Sequence, residues 1–303
     1  MLGRELSWSR GSGFLSGLFI LLFQVLVAQD YVDVARLEYE HGSRNRVDGR
    51  TSDIRFSEVA LDLNLPLVVN DRLAIVTGVL AEVTSVANAV VDTTVVVHGH
   101  AFKAGFNHKH SQKWSGTYLL LPKVSSDLES VGGRDIQIGV LALLKYGHRP
   151  GKNFRFGVYA NDELSGPLVV PIIGYYGIHG RWELNAALPI NADVNYRFLN
   201  RLRIGAQFKG IYKSYDLESF QPAYLEKVNN ELGAYLQMHV DNWNFRLLAG
   251  HSIARKIREF SADDQLDFAI SAVRFGDRPE PPPSTQDGIL FRLAVIYRIP
   301  TDN

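Results

Sequence analysis

The chain has 303 residues, of which 46% are hydrophobic and 21% charged. That is too apolar for a disordered chain and suits one all-β domain of this length. Its 32 basic residues equal its 32 acidic ones, so no basic stripe argues for nucleic acid as a partner. It has no cysteine, which excludes a disulfide framework and any thiolate metal site.

The first segment, Met1 to Ser12, carries Arg4 and Arg10 against Glu5. An apolar run from Phe14 to Val27 follows and ends at Ala28-Gln29-Asp30. A positive start, an apolar stretch of about 14 residues and small residues at its end predict a secretory signal peptide over 1–29. Val27 at the −3 position favours cleavage after Gln29 over cleavage after Ala28. The run is shorter than the roughly 20 apolar residues of a spanning helix; an uncleaved anchor is the alternative. With no cysteine after it, lipid anchoring is excluded. Loss of 1–29 leaves 30 basic and 31 acidic residues. No later segment reaches the length of a membrane helix. A mature chain 30–303 in a membrane would therefore have to be a barrel, because only helices and closed barrels satisfy their own backbone there.

The mature region reads as strand after strand. Fifteen segments qualify: 31–40, 53–65, 72–83, 95–106, 113–123, 134–147, 153–162, 168–178, 181–188, 192–199, 201–214, 224–240, 244–257, 264–276 and 288–299. Many alternate with the period of two that a strand imposes on its faces. Leu61, Leu63 and Leu65 oppose Asp62 and Asn64. Phe154, Phe156 and Val158 oppose Arg155 and Tyr159. Trp182, Leu184, Ala186 and Leu188 oppose Glu183 and Asn185. Leu202, Ile204, Ala206, Phe208 and Tyr212 oppose Arg203, Gln207, Lys209 and Lys213. Leu232, Leu236 and Met238 oppose Glu231, Tyr235 and Gln237.

A soluble antiparallel sheet also alternates, and a secreted soluble β-protein is the competing reading. Two features favour a transmembrane barrel. Short turns, such as Asn70-Asp71-Arg72 and His179-Gly180-Arg181, alternate with longer loops at 42–52, 85–94, 125–133, 215–223 and 277–288. Aromatic residues, among them Trp114, Tyr146, Trp182, Trp243 and Tyr297, stand near strand ends as an interfacial girdle requires. Bacterial single-chain barrels have an even number of strands, so one candidate must go. Segment 264–276 is the one to remove, because Leu266, Ala269, Ile270 and Val273 also fit a helical face within a long outer loop. The Pro279-Glu280-Pro281-Pro282-Pro283-Ser284 run is a loop before the last strand. The fold class expected is all-β: one antiparallel transmembrane barrel of 12–14 strands.

The order of segments resembles an outer-membrane β-barrel family known only as a domain of unknown function. The matching stretches are Ala35-Arg36-Leu37-Glu38-Tyr39, Leu61-Asp62-Leu63-Asn64-Leu65-Pro66 and Phe156-Gly157-Val158-Tyr159. Gly166-Pro167, Val170-Pro171-Ile172-Ile173-Gly174 and Leu188-Pro189-Ile190-Asn191-Ala192-Asp193 continue it. Tyr196-Arg197, Asp267-Phe268 and Phe275-Gly276-Asp277-Arg278 complete it. The resemblance implies a barrel in the outer membrane of a Gram-negative cell and carries no activity. Membrane lipid and the barrel assembly machinery are the partners that follow. The end Ile299-Pro300-Thr301-Asp302-Asn303 departs from the terminal aromatic common in such strands.

No enzymatic constellation stands out. Ser252 and His251 are adjacent, so on a strand they face opposite ways, and no nucleophile motif surrounds them. His98, His100, His108 and His110 suit a metal, but the plainer reading puts them on a lumen face and in a solvated turn. No glycine loop for nucleotides or calcium loop is present, so no cofactor is expected. The lumen-lining candidates are Arg155, Glu183, Arg197, Arg203, Lys209, Lys213, Glu231 and Arg292, with Asp193 and Arg298 beside them. Such mixed charge predicts either a weakly selective path for small molecules or ions, or a closed barrel braced by ion pairs that binds partners through its outer loops.

Overall fold

The computed structural model describes residues 31–45, 54–90, 93–218, 223–281 and 287–300. The expected signal peptide, the end of the proline run and the last three residues lie outside them. Sixteen strands follow in chain order. They are β1 (Tyr31–Asn45), β2 (Ile54–Asn70), β3 (Leu73–Val90), β4 (Thr93–Lys109), β5 (Trp114–Ser126), β6 (Ile136–Arg149), β7 (Lys152–Glu163) and β8 (Gly166–His179). Then come β9 (Trp182–Leu188), β10 (Asn191–Leu199), β11 (Leu202–Leu217), β12 (Ala223–Val240), β13 (Trp243–Ser261), β14 (Phe268–Ile270), β15 (Val273–Phe275) and β16 (Ile289–Pro300).

Fourteen of these close into one antiparallel barrel. Each pairs with its chain neighbour, β13 pairs with β16, and β16 returns to β1 through a register running from Tyr31–Pro300 to Ser43–Ile289. Toward the turn end, closure pairs every wall strand on both sides and hides the strand edges. One end carries the short turns, including Asp71-Arg72, Gly180-Arg181 and Asp241-Asn242. Gly180 sits at φ +63°, a conformation glycine reaches without strain, so a turn of two residues suffices there. The opposite end is called the loop end below.

Hydrophobic alternation becomes an apolar outer surface. On β2 the outward row Val59, Leu61, Leu65, Leu67 and Val69 is exposed. From Val59 to Val69 the tilted strand rises roughly 25 Å, the height of a hydrocarbon band. Below it, Trp114, Trp182 and Trp243 each open a strand just after a turn. Each meets a tyrosine opposite it on the neighbouring strand: Tyr146 at 5.0 Å, Tyr196 at 5.0 Å and Tyr297 at 4.8 Å between ring centroids. These pairs are the girdle at the turn end.

Fourteen barrel strands correspond one by one to the fourteen retained sequence segments. Segment 264–276 is not a wall strand, but neither is it helical. It forms the β14–β15 hairpin, with Phe268 and Phe275 stacked at 4.3 Å. Apolar residues there alternate as a strand requires, and a two-residue hairpin satisfies that pattern as well as a helical turn does. The expected long loops were overdrawn. Strands β3 and β4 run to Val90 and from Thr93, and β11 and β12 occupy much of 215–223. Polar residues there pack inside the barrel's loop end, which sequence composition reads as loop.

A lipid-facing charge separates this fold from a soluble one. Leu65→Arg, on the outer face, should destabilise the barrel by about 2–4 kcal/mol in vesicles. Ala60→Lys, one strand-face away in the lumen, should change it by less than about 1 kcal/mol. Urea unfolding of the two variants measures the difference.

Candidate functional site

Strand alternation sends polar side chains inward, and one irregularity decides which. In β1 the register slips between Asp33 and Ala35. A slip by one residue turns the remaining side chains over. Tyr31 and Asp33 therefore line the lumen together with Arg36 and Glu38. Without the bulge the odd and even residues would face opposite ways.

The lumen holds a cavity of about 600 Å³. Its acids cluster on one arc: Asp33 and Glu38 on β1, Glu58 and Asp62 on β2, and Glu82 on β3. Its bases cluster on another: Arg203, Lys209 and Lys213 on β11, Arg246 on β13 and Arg298 on β16. Arg36 and Asp193 are the exceptions. The arcs touch across the lumen. Lys209 lies 3.6 Å from Glu38, and Lys213 lies 4.0 Å from Glu58 and bonds Glu82 directly. Strand β11 is six positions around the wall from β3, so the Lys213–Glu82 bond is a chord through the interior.

At the turn end the cavity shares Tyr31, Arg203 and Arg298 with a vestibule of about 290 Å³ that reaches Asp241, Asn242 and Pro300. Between the two stands a brace. Tyr31 Oη donates to Glu183 at 2.8 Å, from β1 to β9, again six positions around the wall. Arg203 Nη1 donates to the same carboxylate at 2.5 Å. Arg298 stacks on the Tyr31 ring at 3.5 Å and donates to Asp33 at 2.6 Å.

The loop end is closed. Strands β9 and β10 are short, so above their turn the wall loses two strands. There β11 leans across the lumen and forms a parallel bridge, Asp216 to Ser126 of β5. Glu163 of β7 accepts from the Ser214 backbone N–H at 3.0 Å, the Ser214 hydroxyl at 2.6 Å and Lys123 at 2.9 Å. Ser125 Oγ and Gln137 Nε2 donate to the Ser214 carbonyl at 2.6 and 3.2 Å. Tyr215, Leu217 and Leu225 pack against Phe56, Val86, Val97 and Ile257 in an apolar plug. The β14–β15 hairpin covers the seam, pairing with β8 at Leu168 and Val169, where β9 does not reach. Arg278 and Arg274 bond Glu226, and Arg258 and Arg274 bond Glu280, which holds this loop down.

The residues expected to line the lumen fall in three groups. Glu183, Arg203, Lys209 and Lys213 line the cavity or its brace, and Arg197 lies in the vestibule. Arg155 donates to Asn185 at 2.9 Å beside them. Glu231 and Arg292 are buried above, where Arg292 bonds both Glu40 and Glu231. The acidic arc was not foreseen. Its signal was present in the Asp62 and Asn64 face, but the β1 bulge hid Glu38. The histidines are a correction. His98 and His100 share the outward face of β4 with exposed Val96, Phe102 and Phe106, while Val95, Val97 and Lys103 point in. His100 and His108 are eight residues apart on one strand, about 26 Å, so the four cannot converge. Among the described residues no group of three or more His, Asp or Glu could hold a metal ion.

A family model described as a domain of unknown function, DUF6268, matches residues 24–263. The chain belongs to this family. No curated protein matches it in sequence. Among solved structures it is similar to the COG4313 outer membrane channel from Pseudomonas putida F1, with 8% identity, 91% of this chain and 98% of that chain covered, and a TM-score of 0.47. It is similar to the NanC porin at 11% identity, with 88% and 98% covered and a TM-score of 0.36. The KdgM porin follows at 11% identity, with 86% and 98% covered and a TM-score of 0.34. These are likenesses of barrel build, which the strand order of this family member already shows.

The buried charges and the loop charges each make a measurable difference. Removing one partner of a buried ion group strands the others, at a cost of about 3–5 kcal/mol. Arg292→Met leaves Glu40 and Glu231 facing each other and should lower unfolding free energy by that amount, measured by urea titration in micelles. In the loop the readout is pH. Burial works against the Glu280 carboxylate, yet bonds from Arg258 and Arg274 hold its carboxyl below the usual glutamate range. Its contribution is complete above the unfolded value of about 4.3 and is lost as pH falls through the lower folded value. A spin label at exposed Val273 should therefore gain mobility only below about pH 4. In Glu280→Gln it should already be mobile at neutral pH.

Proposed function

We propose that the chain is exported by a cleaved signal peptide over 1–29. The mature chain 30–303 sits in the outer membrane of a Gram-negative cell with its turn end in the periplasm. There it passes small polar solutes through a gated lumen. The supporting observation is the charged cavity of about 600 Å³, which shares Tyr31, Arg203 and Arg298 with a vestibule of about 290 Å³ at the turn end, while β11 and an apolar cluster fill the loop end. A barrel with a merely structural role has no need of such a space; an interior can be filled with side chains. In this reading Arg155, Glu183, Arg197, Arg203, Lys209 and Lys213 line the path. Glu231 and Arg292 brace the wall above it. The inward lean of β11 is the gate, and membrane lipid and the barrel assembly machinery are the partners.

A second reading keeps the barrel closed and gives the work to the loop end as a binding surface. The brace from Tyr31 to Glu183 and the chord from Lys213 to Glu82 favour it.

Planar-bilayer recording of refolded 30–303 separates the two. The gated reading predicts long closed periods with discrete openings, and a rise in open probability of tenfold or more on Glu163→Ala, which unpins Ser214. A folded barrel, confirmed by a heat-dependent gel shift, that stays silent in both forms would leave the closed reading.

A further inference from the structure

From the separation of charge in the cavity we infer that its ligand is a small zwitterion, a solute carrying one ammonium and one carboxylate. This rests on the reading of the cavity as a solute site. Arg36 on β1 and Asp193 on β10 apart, the acids of the cavity stand on β1–β3 and the bases on β11, β13 and β16. Where the two arcs meet, Glu38 and Lys209 face each other at 3.6 Å, beyond hydrogen-bond length, with both side chains reaching the open space. Neighbouring cavity pairs are shorter: Arg246–Asp193 at 2.8 Å and Arg298–Asp33 at 2.6 Å. The Glu38–Lys209 contact is thus the one a solute opens at least cost.

What enters is decided by what the opening leaves behind. An anion that takes Lys209 leaves Glu38 only its bond to Arg36 at 3.0 Å, and the added negative charge beside Glu38 repels it. A cation that takes Glu38 removes from Lys209 its one ion pair among the described residues. A zwitterion replaces both partners at once: its ammonium pairs with Glu38, its carboxylate with Lys209, and one stretched pair becomes two close ones. Glu58 and Lys213, two steps of the alternation further along β11, lie 4.0 Å apart but are each bonded elsewhere, Glu58 to Lys227 at 2.6 Å and Lys213 to Glu82, so they extend the same field without offering a second opening. The polar side chains of Asn191 and Gln207 complete the lining between the arcs.

The test is binding, read apart from transport. Folded 30–303 in deuterated micelles is titrated with 4-aminobutyrate, butyrate and butylamine by ligand-observed NMR. The three share a four-carbon chain and differ in charge. The zwitterion should bind at least about tenfold more tightly than either singly charged analogue. Glu38→Gln should lift butyrate to the zwitterion's level, and Lys209→Gln should do so for butylamine, opposite swaps that a general loss of packing would not produce. Equal binding of the three, a singly charged winner, no binding at millimolar concentration, or the same shift in both variants would overturn the inference. If a variant fails the heat-shift test for folding, the wild-type order alone decides. A zwitterion that binds to a barrel silent in the bilayer would sink the gated passage and keep the site. A conducting barrel without the preference would do the reverse.

Discussion

A strand inside hydrocarbon can place its N–H and C=O groups only on another strand. That constraint sets the rest of this structure. It demands a closed ring, and the return of β16 to β1 supplies the closing seam. A ring of fourteen strands is wider than the eight-stranded ring whose interior side chains just fill, so its interior is either packed by chain that leans inward or left open. Toward the turn end that space stays open as the charged cavity. Toward the loop end β9 and β10 drop out of the wall, β11 leans inward, and an apolar cluster fills what remains.

Once the interior is polar, a second constraint follows. Charges taken out of bulk water persist only if paired. In this barrel acids and bases come from different stretches of the wall, so pairing them ties distant strands together. The ties at Tyr31–Glu183 and Lys213–Glu82 therefore do two jobs. They satisfy buried charge, by a phenol hydrogen bond at Glu183 and an ion pair at Glu82, and they bridge the lumen. In the proposed reading stability and passage draw on the same bonds, which makes the contact of Lys209 with Glu38, at 3.6 Å, the one to test for selectivity.

The barrel was legible because lipid on one side and water on the other enforce a strict period of two. Leu232, Leu236 and Met238 announce the outside and Glu231 and Gln237 the inside, and the structure places them so. Evenness of strand number removed 264–276 from the wall for a topological reason. Its hairpin form was not legible, since a stretch as short as Phe268–Phe275 fits either period. The cavity was only half legible. Basic residues of β11 stood out in a clean alternation. The acidic arc did not, because a bulge at Asp33–Ala35 reverses the face of β1 and leaves no mark in composition. His98 and His100 misled for the opposite reason: their polarity suggested the lumen, while their parity with Phe102 and Phe106 puts them outside. The crossing of β11 to β5 depends on the shortness of β9 and β10, a pairing property no single segment reveals.

The crossing of β11 through the lumen, on which the closed loop end depends, admits a direct measurement. The chain has no cysteine, so a pair introduced at Ser126 and Asp216, register partners across the interior, is the only thiol pair present. In intact outer membranes without reductant, Ser126→Cys with Asp216→Cys should form an intramolecular disulfide, seen as a mobility shift that reductant reverses. Full cross-linking is the predicted result. Free thiols in both positions, in a barrel that still shows the heat-dependent shift of the folded form, would mean that β11 stands in the wall and that the loop end is open.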